Sequence, residues 1–224
     1  MNKINKIAAF TLAEVLLVLT IIGVVSVLVL PSISDSYKED ESIARLRKIE
    51  NDLDLAYQKS VTTYGDYTTW SVTGANRVTQ LTEFLKGNAC GNVASTASSL
   101  QCFPPSVTIG TEKISDNTEY YKMELDDGTS VAIKPDDTNA KYLVYVALSG
   151  ATGGHVIAND IFGFNIDYAN GVSPMGEGND RNSATDAYTA AQTINATNWA
   201  FINGNMDYNK CADTLNWKTK KTCD

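Results

Sequence analysis

The chain has 224 residues, 18 of them Lys or Arg and 26 Asp or Glu, for a net charge of -8. That balance argues against nucleic acid, whose phosphates require a basic face, and against docking on anionic lipid headgroups. Lys3 and Lys6 are the only charges before residue 10, so the remainder carries a net -10, which keeps a surface soluble.

Residues 1–9, MNKINKIAA, form a short basic leader. An apolar run follows from Phe10 to Leu30, at about 1.5 Å per residue a helix of roughly 32 Å. A hydrocarbon core is about 30 Å thick, so the run is expected to cross a membrane. It exceeds the ~7–15 residues of a cleaved signal's apolar region, and no A-x-A site follows it. The two lysines place residues 1–9 in the cytoplasm and everything from Pro31 outside it. Glu14 is the anomaly. A carboxylate in hydrocarbon costs about 2.5–3.5 kcal/mol or more, so it must reach the interface or find a partner.

Pro31 lacks an amide donor and is expected to bend the helix rather than end it. Beyond it, Leu46, Ile49, Leu53 and Ala56 recur at steps of three and four among charged residues, the pattern of an amphipathic helix. Residues 10 to about 62 therefore read as one long bent helix. Its apolar stripe is too short for a coiled coil and requires a cover within its own domain.

From Thr68 to about Ile114 the chain is rich in Ser, Thr, Asn and Gly and reads mainly as loop, with a short helical stretch near Gln80–Leu85. YYKMELDDGTSVAIKP holds two strand-like runs joined through Asp126–Asp127–Gly128, a hairpin signal. YLVYVALSG (142–150) and IFGFNIDYANG (161–171) each read as a further strand ended by glycine. After Pro174 the sequence is polar again, and no internal repeat is visible. The expected fold class is α+β, a long N-terminal helix with a transmembrane half and an amphipathic half, packed on an antiparallel sheet of about four strands. The expected division is a leader over 1–9, a membrane helix over 10–30 and an exterior domain over 31–224.

Cys90, Cys102, Cys211 and Cys223 all fall in that exterior part. An even count in an oxidising compartment predicts two disulfides. Three pairings exist, and spacing favours Cys90–Cys102 and Cys211–Cys223, each closing a short loop of similar length. A zinc site is disfavoured, because no C-x-x-C occurs and His155 is the only histidine. Enzyme chemistry is poorly provided for. Any Ser-His-Asp or Cys-His arrangement must use His155, and neither a phosphate-binding G-x-x-x-x-G-K-[ST] loop nor H-E-x-x-H occurs. Asp126–Asp127 and Asp136–Asp137 are adjacent acids of the kind found in turns. No cofactor is expected. If a metal is held, calcium is the candidate and Asp160, Asp167, Asn170 and Asp180 are its oxygen donors, although D-Y-A-N-G does not fit the EF-hand pattern.

The N-terminal residues carry a resemblance. Ala9, then Phe10–Thr11–Leu12, Glu14 and the apolar run AFTLAEVLLVLTIIGVV resemble the signature of type IV pilin-like proteins, including the pseudopilins of type II secretion systems. That family usually has glycine before the cut, where this chain has Ala9. The resemblance covers about 25 residues, and Pro31 sits where the family often has a helix-bending proline. It implies cleavage between Ala9 and Phe10 by a prepilin peptidase and methylation of the new Phe10 amine. It also implies assembly through the N-terminal helix, with Glu14 pairing to the Phe10 ammonium of a neighbouring subunit. The implied partners are copies of the chain or other pilin-like subunits, the peptidase, an inner-membrane assembly platform and membrane lipid. The implied location is the bacterial cytoplasmic membrane, crossed once, and then a pilus, pseudopilus or the cell surface. A membrane-anchored binding or adhesive domain is the alternative and would retain residues 1–9; a secreted enzyme would be released.

Overall fold

The computed structural model describes residues 11–67, 70, 74–91, 102–152, 155–176, 194–217 and 219–223, with the backbone alone at 28, 30–36, 74–76 and 91. Two compact units divide between Asp40 and Glu41. The helix α1 covers Leu12–Tyr64.

In the first unit the described side chains of α1 run unbroken over residues 12–27, about 24 Å at 1.5 Å per residue. Glu14 and Thr20 place polar groups in that stretch. No helix among the described residues is long and apolar enough to cross a membrane. This overturns the expected membrane-spanning half, and with it the expected single-pass placement in a bacterial cytoplasmic membrane with an exterior domain.

The second unit corrects the rest of the expected fold class. Its sheet has six antiparallel strands rather than about four, accompanied by short helices. The strands are β1 (Gly87–Gly91), β4 (Tyr121–Leu125), β5 (Ser130–Asp136), β6 (Lys141–Ala147), β7 (Ile161–Asp167) and β8 (Gly171–Pro174), hydrogen-bonded in that order. A separate ribbon pairs β2 (Thr108–Ile109) with β3 (Glu112–Lys113). The helices after α1 are α2 (Gly74–Thr82), α3 (Ala196–Asn203) and α4 (Tyr208–Cys211).

Turn chemistry sets the register. Between β4 and β5 the Gly128 amide donates to Leu125 O and the Leu125 amide to Thr129 O, while Gly128 takes φ +82°. This is a three-residue hairpin loop with glycine at its left-handed position. Between β7 and β8 the Asp167 carboxylate accepts the amides of Ala169 and Asn170, and Gly171 takes φ +83°. Asp and Asn fold such turns by bonding their own backbone.

Alternation along the strands gives the sheet two buried faces. Val131, Ile133, Val144, Val146, Phe162 and Phe164 share one core with Leu46, Ile49, Leu53 and Ala56 of α1. These α1 side chains are the stripe read from the sequence, and Ile43 extends it by one step. The intervening residues Ala132, Tyr145, Ala147 and Ile161 form a second core with Phe103, Val107, Ile114 and Tyr120. A polar strap closes that side. Tyr120 donates its hydroxyl to Glu112, and Lys134 reaches both Glu112 and Glu119. Burial, followed by the hydrogen bond to Glu112, drives the Tyr120 hydroxyl far above its ordinary pKa and keeps it a donor.

Beside β7 and β8, α3 buries Ala196, Trp199 and Ala200 and ends at Gly204, whose φ of +67° lets its amide donate to Ala200 O. Thr197 accepts the Gly163 amide of β7, and the Asn198 amide donates to Met175 O just beyond β8. These bonds occupy backbone groups next to an edge strand that would otherwise be left open.

Candidate functional site

The N-terminal end of α1 is the candidate site, because the sequence places its sharpest pattern there. Ala9 and Phe10 lie outside the described residues. α1 passes through Pro31, whose side chain also lies outside the description. Glu14 is described, and its partner is local. The Glu14 carboxylate accepts the Thr11 amide and the Thr11 hydroxyl, each at 2.9 Å, both through Oε2. The Glu14 amide donates back to Thr11 Oγ1 at 3.2 Å. Thr11–Leu12–Ala13–Glu14 is thus a capping box, which satisfies amides that the first turn of a helix leaves without partners. The T-x-x-E spacing before an apolar run was the available signal for it, and it gives a structural part to Thr11, to which the sequence reading assigned no role.

Around this cap the helix is mostly apolar, with Thr20 and Ser26 as polar interruptions. Leu12 is 79% exposed, and large apolar residues between Val15 and Val29 are 45–73% exposed. A helix that is hydrophobic all round is ordinarily buried, and exposed apolar surface on this scale marks an interaction site.

In the second unit the two disulfides pair as spacing predicts. Cys90–Cys102 and Cys211–Cys223 have Cα separations of 6.1 and 5.7 Å, and no free cysteine remains. Cys90 lies in β1 and Cys102 leads into Phe103 of the second core, so that bridge joins the sheet's edge to the cover of its second face. Cys211 ends α4, and the Cys223 amide donates to Asp207 at the start of that helix. Both closures are local and brace the loop-rich ends of the unit.

The calcium candidates do not converge. Asp160 precedes β7 and Asp167 ends it, so seven steps along the strand, about 23 Å at 3.3 Å per residue, separate them. Asp167 and Asn170 bond each other in the β7–β8 turn. Asp160 accepts the Ser149 amide and faces His155 Nδ1 at 2.8 Å. Asp180 lies outside the described residues. Among the described residues no three His, Cys, Asp or Glu side chains could hold a metal together.

His155 has a carboxylate partner, as a catalytic histidine would, but its Nε2 is buried with no hydrogen-bond partner among the described residues. Among the described residues, no nucleophile meets that nitrogen as the triad geometry requires. Asp160 instead uses both oxygens to pin the β6–β7 connection. No protein-family model, no curated protein and no solved structure matches this chain.

Proposed function

We propose that this chain is a structural filament subunit of the type IV pilin-like or pseudopilin kind, with no enzymatic activity, whose N-terminal helix is its assembly element. The observation that carries the reading is the helical stretch from Leu12 to Val29, along which large apolar side chains stand exposed. Such a surface requires a cover, and like helices from other copies supply one of matching chemistry. The residues around it fit. Ala9 is small enough for a protease cleft, Phe10 would become the new N-terminus, and Glu14 follows one helical turn later.

The capping box refines the part given to Glu14. Its carboxylate is satisfied at Oε2 within its own first turn. A lone subunit therefore does not hold a bare charge in an apolar helix. Oε1 takes no part in the box and is the oxygen a neighbour's Phe10 ammonium would approach. Assembly then adds a charge pair to a carboxylate that is already oriented, and the pair fixes the stagger between helices.

Co-expression with a prepilin peptidase tests the reading. Mass spectrometry should find the chain shortened by residues 1–9, with a methyl group on the Phe10 amine. An intact N-terminus in cells that process a control prepilin would refute it. Ala9→Gly should speed the cut, and a bulky residue at position 9 should block it.

A further inference from the structure

Tyrosine rings meet at several places in the second unit, and one meeting differs in kind. The rings of Tyr120 and Tyr145 lie 5.7 Å apart at 39°, and those of Tyr142 and Tyr168 lie 5.2 Å apart at 76°. Both are ordinary tilted or edge contacts, for which centroids sit roughly 4.5–7 Å apart. Tyr67 and Tyr168 are instead stacked, with 3.3 Å between centroids and 29° between planes. They also differ in access. Tyr120, Tyr142 and Tyr145 are buried, whereas Tyr67 and Tyr168 are both half-buried beside the exposed residues Asp66, Ala169 and Asn170.

The two rings are held in place by separate parts of the fold. Tyr168 sits in the β7–β8 turn, where its amide donates to Ala140 O and its hydroxyl to Lys141 O, while its carbonyl accepts the Tyr57 hydroxyl. Tyr67 follows α1, and its carbonyl accepts the Trp70 amide. The Arg77 guanidinium, paired with Asp137, lies 5.7 Å from the centre of the Tyr67 ring and steadies it by cation–π attraction. Side chains that oxidants ordinarily consume first are withheld. The four cysteines are bridged, which is itself the mark of oxidising surroundings, and Met123, Met175 and Met206 are buried.

We propose that Tyr67 and Tyr168 are a site of oxidative modification, at which a peroxidase acting with hydrogen peroxide joins the two rings as a dityrosine link. Each phenol gives one electron and its hydroxyl proton to the oxidant. One peroxide molecule takes up both electrons and both protons and leaves as two waters. The unpaired electrons occupy orbitals perpendicular to the rings, so stacked faces are the arrangement in which a carbon–carbon bond forms. The bond joins the carbons next to the hydroxyl-bearing ones, and the hydrogens on those carbons pass to the oxygens as both rings regain aromaticity. The link closes a loop of about 100 residues and stabilises the unit by restricting the unfolded chain, as a disulfide does. The proposal does not depend on the filament reading, because both residues lie in the second unit.

The test is treatment of the full chain in dilute solution with a peroxidase and hydrogen peroxide. The monomer should lose two hydrogen atoms by mass spectrometry, gain blue dityrosine emission, and yield a linked peptide pair carrying Tyr67 and Tyr168. Tyr67→Phe and Tyr168→Phe each keep a ring in the stack and remove a phenol. Each should reduce the emission of the treated monomer to that of untreated chain, with unchanged circular dichroism, while Tyr120→Phe leaves it in full. Undiminished emission from the Tyr67→Phe or Tyr168→Phe monomer, a link only between two chains through the exposed Tyr37, or no link at all would each overturn the proposal. The linked monomer should unfold at a higher denaturant concentration than the unlinked one, and equal midpoints would overturn the stabilising role.

Discussion

Thr11 and Glu14 show how one residue can serve a helix and a partner at once, and substitution can separate the two roles. Glutamine still accepts a hydrogen bond in a capping box but carries no charge. Glu14→Gln should therefore leave the start of the helix intact and still prevent assembly, since a neighbour's ammonium would be buried without its counter-charge. Thr11→Ala keeps the charge and removes the cap, a loss of about 1 kcal/mol at the helix end. It should fray the first turn and still assemble. Helicity by circular dichroism, set beside the sheared-filament fraction from cells with the assembly machinery, separates the outcomes. If Glu14→Gln enters filaments at the normal level, Glu14 is a capping residue and nothing more. Only half of this was legible in the sequence. The unusual acid stood out from its apolar neighbours, whereas its partner, a threonine three residues back, is visible only through the T-x-x-E spacing, which the sequence reading did not use.

Elements were legible where a period ran long enough to be counted. The stripe Leu46, Ile49, Leu53 and Ala56 repeats over three helical turns, and the structure buries all four at 0–1% exposure. Leu53→Ala should therefore cost about 2–5 kcal/mol, whereas Leu55→Ala, two residues along on the open face, should be close to neutral in chemical denaturation. β1 and β8 escaped because GNACG and GVSP offer no alternation to count. They are strands because β4 and β7 present free backbone groups to them, which is tertiary information. α3 escaped for a similar reason, since Trp199 and its neighbours are held by the sheet and not by a strong local helix signal. Glycines near these elements differ in what they permit. A Cβ at Gly176 would overlap the backbone oxygen of Asn195, and its φ is +97°, while one at Gly128 meets nothing within 4 Å. Gly128→Ala carries only the left-handed backbone penalty, about 1–2 kcal/mol. Gly176→Ala adds a backbone collision to that penalty. It should lower the unfolding midpoint clearly further than Gly128→Ala, and equal shifts would mean that the α3 connection yields easily.

For the molecule as a whole, the membrane expectation reached over Phe10 to Leu30, whereas no helix among the described residues is long and apolar enough to cross a membrane. The disulfide expectation held because both pairs close loops of the same sequence separation, 12 residues. Neither feature fixes how the second unit responds to acid, which depends on carboxylates that bind the sheet's surroundings together. Burial raises the Asp127 pKa, but the Lys48 ammonium and the Thr129 amide outweigh it and hold the carboxyl below its ordinary range. Glu119, held mainly by Lys134, and Asp136, held mainly by Asn139, are depressed as well. A carboxyl whose folded pKa lies below its unfolded value, about 3.9 for Asp and 4.3 for Glu, binds more protons when unfolded. Its contribution is complete above the unfolded value and disappears as pH falls through the folded one. Stability should therefore be flat from neutrality to about pH 5 and decline below pH 4. Lys48→Met sharpens the test, since it removes the cation from Asp127 and leaves burial as the larger influence. The Asp127 pKa should then move upward, and the acid-unfolding midpoint followed by circular dichroism should move to higher pH. Lys221→Met, which touches none of these carboxylates, should leave that midpoint in place. A midpoint unmoved by Lys48→Met would mean that the contact between α1 and the β4–β5 hairpin contributes nothing to acid resistance, and that the strap of Lys134 with Glu112 and Glu119 sets it.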